Sequence, residues 1–195
     1  AHATMERVMA QNFDARGNDL EFGDYALDFD GNDYVVIADN PSLDFGSPTD
    51  FTISFWANPS TWNQEGRYIL DKRDVSEVGY SISIAANLQL KFSISAVNVL
   101  TASNALDGLE NEWHQFEITC DRSGNAQWYI DSSTSGSAVS ISGAGDIDNS
   151  STLTIGSDNT PGNYFNGKID EVRIWNDVRT AAEIKASFNR SLSDP

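Results

Sequence analysis

The chain has 195 residues, of which 39% are hydrophobic and 11% aromatic, enough apolar mass for one full hydrophobic core. Its 12 Lys and Arg residues against 29 Asp and Glu residues give a net charge of −17, which repels phosphate backbones and excludes nucleic-acid binding. The longest apolar runs, such as Tyr34 to Ala38, are too short for membrane insertion. Cys120 is the only cysteine, so an internal disulfide is excluded. His2 and His114 are the only histidines, so a His-rich metal centre is excluded as well.

Residues 1–24 are interpreted as an N-terminal extension that precedes the folded domain. Ala1 to Met5 is too short and too polar for a signal peptide and is consistent with a vector-derived remnant. A short helix is predicted over Met5 to Asn12. From Tyr25 the pattern changes to short alternating strands with no internal boundary, so one domain is predicted over residues 25–192.

The next part of the chain is dominated by apolar residues at every second position. Phe51, Ile53 and Phe55 share one strand face, and Phe116 and Ile118 share another. Asn, Asp, Gly and Ser fill the gaps between these runs, as is typical of turns. The predicted strands are 26–29, 34–37, 51–57, 68–72, 79–85, 89–95, 97–101, 113–120, 126–130, 137–141, 153–157 and 165–175.

Only the end of the chain has a helical pattern. Thr180 caps a predicted helix over Ala181 to Phe188, with Glu183 in the third position of a capping box. Many strands with one short helix predict an all-β fold, either a two-sheet antiparallel sandwich or a barrel.

Four segments follow one another in the chain: Ala26–Val35 (ALDFDGNDYV), Phe51–Trp56 (FTISFW), Glu112–Asp131 with its EWHQF and WYID motifs, and Leu153–Ile184 with FNGKIDEVRIW. In this order they resemble the laminin-G-like, concanavalin-A-like jelly-roll family, in its pentraxin-like bacterial branch. The resemblance implies a two-sheet antiparallel jelly-roll sandwich with a short C-terminal helix. It says much less about the ligand, because this fold hosts many functions.

A calcium site is expected from the same resemblance. Members of the family often hold Ca²⁺ between the loop after the first strand and the last strand, which corresponds here to Asp30, Asn32 and Asp33 together with Asp170. Carboxylate and amide oxygens suit Ca²⁺, and Asp170 lies among apolar residues where a carboxylate needs a cation or several donors. The alternative is that the first loop is an Asx turn and that Asp170 accepts N–H groups.

The sequence predicts no enzyme. Jelly-roll glucanases use a Glu-x-Asp-x-Glu run or a variant one residue longer, and this chain has neither. A Gly-x-Ser-x-Gly nucleophile elbow is also missing. Asp170 and Glu171, adjacent on one strand, point to opposite faces.

Two predicted loops combine an aromatic side chain with polar groups, as sugar-binding sites do. The candidate ligand-binding residues are Trp62, Tyr68, Arg73, Asp158, Asn159 and Tyr164. Under the alternative interpretation, Tyr164 packs beneath its own loop and the charged residues form a solvated edge.

We therefore expect a non-catalytic, calcium-stabilised module of a larger secreted or cell-surface protein of bacterial origin. Its expected partner is a glycan or a cell-surface protein, in adhesion or in substrate targeting. A structural spacer without a ligand and, less favoured, a jelly-roll glycanase or lyase remain open.

Overall fold

The structure is a computed structural model that describes residues 6–7 and 26–188. Almost every residue in a regular element belongs to a β-strand, as the alternating pattern predicts. The strands are β1 (Glu6–Arg7), β2 (Leu27–Asp30), β3 (Val35–Ile37), β4 (Phe51–Asn58), β5 (Tyr68–Arg73), β6 (Gly79–Ala85), β7 (Gln89–Ile94), β8 (Val97–Leu100), β9 (His114–Cys120), β10 (Asn125–Ile130), β11 (Ser133–Ser140), β12 (Leu153–Ile155) and β13 (Asn166–Trp175). A 3₁₀ turn (Pro41–Leu43) and one helix, α1 (Ala181–Phe188), complete the described elements.

The strands form two antiparallel sheets. Sheet A has seven strands in the order β1-β13-β4-β9-β10-β11, and β2 pairs with β13 on the same edge as β1. Sheet B has six strands in the order β3-β12-β5-β6-β7-β8. This arrangement confirms the predicted two-sheet jelly-roll sandwich with a short C-terminal helix. Glu6–Arg7 is a strand where the sequence suggested a helix, and the rest of that predicted helix lies outside the described residues.

The hydrophobic core lies between the sheets because alternate residues of each strand point inward. Phe51, Ile53 and Phe55 of β4 are 0–1% exposed, and Phe116 and Ile118 of β9 face them from the neighbouring strand. The predicted shared faces of β4 and β9 are therefore confirmed.

The outer face of sheet A is covered by α1. Trp56 stacks on Phe188 with ring centroids 5.7 Å apart, and Gln115 Nε2 donates to Ser187 Oγ (3.1 Å). The predicted capping box is present, since the Glu183 carboxylate accepts the Thr180 N–H (2.8 Å) and Thr180 Oγ1 accepts the Glu183 N–H (3.3 Å).

Loops from distant parts of the chain meet at one end of the sandwich, which we call the loop end. It comprises residues 31–34, 59–67, 101–113 and 156–165. Asn166 Nδ2 donates to the Asp30 carbonyl oxygen (3.0 Å), and Gln64 Nε2 donates to the Asn166 carbonyl oxygen (2.9 Å). Trp62 Nε1 donates to the Leu109 carbonyl oxygen (3.4 Å). These contacts hold the loops in one cluster.

Candidate functional site

An open, polar cleft of about 430 Å³ lies at the loop end. Two of its walls come from neighbouring strands of sheet A, β2 and β13, and the others come from the loops that follow β4 and precede β9. Its lining residues are Asp28, Phe29, Asp30, Asn58, Ser60, Asn111, Asn166, Gly167 and Lys168.

Three cleft residues form a row across the surface of sheet A. Lys168 of β13 is the cross-strand partner of Asp28 on β2 and of Asn58 on β4. Directly paired residues point to the same face of a sheet, with Cβ atoms about 5 Å apart. The row therefore presents a carboxylate, an ammonium group and an amide side by side.

Most polar groups of the cleft are free to bind a ligand. The side chains of Asp28, Asn58, Ser60, Asn111 and Lys168 make no hydrogen bond or ion pair with any residue in the described part of the chain. All five are exposed or half-buried. Together they supply donors and acceptors of the kind that bind sugar hydroxyl groups.

Gly167 allows the cleft to form where the chain is crowded. Its φ of +139° is one that side chains rarely adopt, and a Cβ at this position would lie 2.6 Å from Pro59 Cα. Glycine is therefore needed for the loop after β4 to pack against the start of β13, which brings Asn58 and Ser60 to the cleft.

Trp62, the least expected of the predicted ligand contacts, is a core residue. It is 0% exposed and packs edge-to-face on Phe116 with ring centroids 5.2 Å apart. Its loop folds inward and closes the end of the core, because a large aromatic ring stabilises the fold most when buried. This position favours a structural role for Trp62, and its predicted ligand contact stays a prediction.

Arg73 lies on the outer face of sheet B and is fully engaged by its neighbours. Its Nε and Nη2 donate to the two carboxylate oxygens of Asp71 (2.8 Å each), and its Nη1 pairs with Glu77. Burial opposes the charge of this guanidinium, but the hydrogen bonds and charge of Asp71 outweigh that effect and raise the pKa of Arg73 above its usual value. These contacts use the guanidinium within the fold, and the predicted ligand contact of Arg73 stays a prediction.

The other predicted residues of this region surround the same ion pair. Tyr68 lies under Arg73, with the guanidinium carbon 5.1 Å from the ring centroid. The Asn159 N–H donates to Asp71 Oδ2 (3.3 Å), and its side-chain amide donates to the Arg73 carbonyl oxygen. The fold thus brings Tyr68, Arg73 and Asn159 of the two predicted loops together, and their contacts are with one another and with Asp71.

Asp158 and Tyr164 shape the loop between β12 and β13. Asp158 Oδ2 accepts a hydrogen bond from Asn163 Nδ2 (2.6 Å) inside the loop. Tyr164 is half-buried against Tyr34, with ring centroids 6.1 Å apart, and Tyr34 is 40% exposed. Tyr164 therefore keeps one exposed aromatic neighbour at the loop end.

The predicted metal ligands do not converge. Asp30 is paired with Asn166, four residues before Asp170, so Asp30 and Asp170 lie about 13 Å apart along the strand. Asp170 is half-buried and accepts the Glu171 N–H (2.6 Å). This register separates Asp170 from Asp30, Asn32 and Asp33 of the first loop, and a calcium site that joins the four residues stays a prediction.

The first loop, residues 31–34, begins with an Asx turn, which is the alternative to a calcium site given above. Asp30 Oδ1 accepts the Asn32 N–H (3.2 Å), and Asp33 Oδ1 accepts the Asp30 N–H (3.0 Å). These are turn-stabilising contacts. Within residues 6–7 and 26–188, no three His, Cys, Asp or Glu side chains group as a metal site.

Sequence reasoning did not single out most of the cleft residues. Asp28 and Lys168 are ordinary outward-facing strand residues, and their meeting depends on the pairing of β2 with β13. The only local signal was the Asn58-Pro59-Ser60 turn, which places small polar groups at a strand end.

Comparisons with solved structures show strong similarity of fold. The binding domain of Paraclostridial Mosquitocidal Protein 1 aligns with a TM-score of 0.69 and 20% identity, over 88% of this chain and 46% of that chain. The botulinum neurotoxin serotype D ligand binding domain, in complex with N-acetylneuraminic acid, aligns with a TM-score of 0.70 and 14% identity, over 97% and 46%. The binding domain of botulinum neurotoxin DC, in complex with rat synaptotagmin II, aligns at 0.64 and 24%, over 82% and 40%.

The chain thus spans less than half the length of these solved chains, and identities this low establish a shared fold alone. No curated protein sequence matches it. No helix among the described residues is long and apolar enough to cross a membrane. The family model described as the concanavalin A-like lectin/glucanases superfamily matches residues 29–185, and the chain belongs to that superfamily.

Proposed function

We propose that this chain is a non-catalytic binding module that recognises a glycan through the loop-end cleft. The observation that carries the proposal is a set of five polar side chains in the cleft that have no partner among residues 6–7 and 26–188: Asp28, Asn58, Ser60, Asn111 and Lys168. Unpaired groups are available for ligand hydroxyls, whereas the polar atoms around Arg73 are already used within the fold.

The similar structures support a binding role outside the cell. One of them is a ligand binding domain in complex with N-acetylneuraminic acid, and another is bound to synaptotagmin II. In keeping with this, we propose that the chain belongs to a larger secreted or cell-surface protein and serves adhesion or targeting. Calcium stabilisation stays a prediction of the sequence and is not needed for the cleft.

A hydrolase is the second candidate, because Asp28 and Asp30 both line the cleft at i, i+2 spacing. Glycoside hydrolysis uses two carboxyl groups about 5–9.5 Å apart, one of them a general acid that is usually buried in an apolar pocket. Both aspartates are exposed, and Asp30 is held in its turn by the Asn32 N–H. These features favour binding without cleavage.

The test is binding of the purified chain to an array of oligosaccharides, followed by calorimetry with the bound members. Asn58→Ala removes two donors and an acceptor from the cleft wall, so we expect affinity to fall about tenfold, as for one or two lost hydrogen bonds. Asn125→Ala is the matched control, since Asn125 is an exposed strand residue outside the cleft.

Equal affinities for the two variants would contradict the cleft assignment, and no binding to any glycan would contradict the proposed function. Release of shorter oligosaccharides during incubation, abolished in Asp28→Asn, would establish the hydrolase instead.

A further inference from the structure

The charged side chains in and around the cleft affect which sugars the cleft binds. Asp28 and Asp30 contribute two carboxylates, and Lys168 contributes the single cation among the lining residues. Next to the cleft, Asp33 binds the Asp30 N–H, while Glu110 and Glu112 flank Asn111 in the chain. The cleft therefore lies in a negative local field on a chain of net charge −17.

Lys168 would attract an anionic sugar if it stood alone, but its cross-strand neighbour is Asp28. The two side chains share one face of the sheet without forming an ion pair within 4 Å. Each keeps free hydrogen-bonding positions, while their charges largely cancel for a ligand that touches both. The other neighbour of Lys168 is the neutral amide of Asn58.

We propose that the cleft selects uncharged, hydroxyl-rich sugar units over carboxylated ones, with Asp28 and Lys168 as the specificity-determining pair. The proposal rests on the proposed glycan-binding function and assigns its substrate class. A hydroxymethyl group can donate to Asp28 and accept from Lys168 at the same time. A carboxylate at the same position gains Lys168 but faces Asp28 and Asp30 with like charge.

The experiment compares sugars that differ in this one group. Manno-oligosaccharides are titrated against mannuronate oligosaccharides, and galacto-oligosaccharides against galacturonate oligosaccharides, at 0.15 M and 1 M salt. We expect the neutral member of the bound pair to bind at least tenfold more tightly at 0.15 M salt. In Asp28→Asn the ratio should fall to about threefold or less, because the ammonium of Lys168 is then uncompensated.

Asp107→Asn is the control for net charge, since it removes the same charge from an exposed loop position outside the cleft. Tighter or equal binding of the uronate series by the native chain would overturn the inference and leave the glycan-binding function standing. If the affinity ratio changes equally in Asp28→Asn and Asp107→Asn, the preference for neutral sugars comes from long-range repulsion and the role of the Asp28–Lys168 pair is overturned. The same conclusion follows if the preference of the native chain disappears at 1 M salt. Binding of no member of either series would overturn the inference, whereas absence of binding to every glycan of the array would contradict the proposed function itself.

Discussion

Trp62 shows at the residue scale how burial decides the role of a side chain. In the sequence it follows a turn, where an exposed ring would be a natural sugar platform. In the structure its ring packs on Phe116, and its indole nitrogen reaches the Leu109 carbonyl oxygen. The two loops that border the cleft therefore depend on Trp62 for their position.

We expect Trp62→Ala to lower the free energy of unfolding by about 3–5 kcal/mol, because it leaves a large cavity in a packed core. Urea denaturation followed by tryptophan fluorescence measures the change. Tyr164→Ala is the comparison, since Tyr164 is only half-buried, and its loss should cost much less. A small effect of Trp62→Ala on stability, with loss of glycan binding, would restore Trp62 as a ligand contact.

Strand β9 illustrates the element scale, because it carries a charged residue, Glu117, into a buried position. Glu117 is 2% exposed, and its Oε2 has no hydrogen-bond partner in the described residues. Burial raises the pKa of Glu117 to about 7, with Arg179 and Arg173 opposing this shift and Glu183 adding to it. Removing this carboxylate from water thus makes its charged form unfavourable in the folded chain.

The sign of the pH dependence follows from the raised pKa. Below about pH 4.5 Glu117 is protonated in both states, and stability falls as pH rises toward 7 because only the unfolded chain ionises it freely. We expect Glu117→Gln to be more stable than the native chain by about 3 kcal/mol at pH 8 and by little at pH 4.5.

Thermal unfolding across pH 4–8 measures this difference, with the exposed Glu112→Gln as the control. A constant difference between Glu117→Gln and the native chain over this range would contradict the assignment of the pH dependence to Glu117.

At the scale of the whole molecule, strand β2 near the start of the fold pairs with β13, the last strand. Strand β13 pairs with β2 along its first half and with β1 near its end, and β4 lies on its other side. A bulge between Asp170 and Arg173, where Glu171 has a φ of +51°, offsets the second half of the strand. The register of β13 with β2 places Asn166 opposite Asp30 and so separates Asp170 from the first loop.

If the predicted calcium binds in the first loop, Asp170 does not take part. We expect Ca²⁺ added after EDTA to raise the melting temperature of the native chain and of Asp170→Asn by the same amount, because an ion held only by the folded state stabilises it. Differential scanning calorimetry checks this, with Asp33→Asn as the variant that should lose the response. A response lost in Asp170→Asn would contradict the register of β2 and β13.

Local patterns in the sequence were sufficient for most of the described elements from β2 onward, although Glu6–Arg7 is a strand where they suggested a helix. Alternation at every second residue predicted β4 and β9 and their buried faces, and Thr180 with Glu183 predicted the start of α1. These features depend on neighbours within a few residues, so the amino-acid order alone determines them. Four ordered segments were also enough to indicate the family.

The site depended on contacts that no local pattern encodes. Asp28 meets Lys168, and Asp30 meets Asn166, only through the register of two strands far apart in the chain, and a shift of one residue would turn each side chain to the other face. Likewise, Arg73 and Asn159 carry suitable groups for a ligand, yet Asp71 engages the Arg73 guanidinium and the Arg73 carbonyl oxygen accepts the Asn159 side-chain amide. Tertiary structure alone decided which polar groups stay free, because hydrogen bonding within the fold competes with binding.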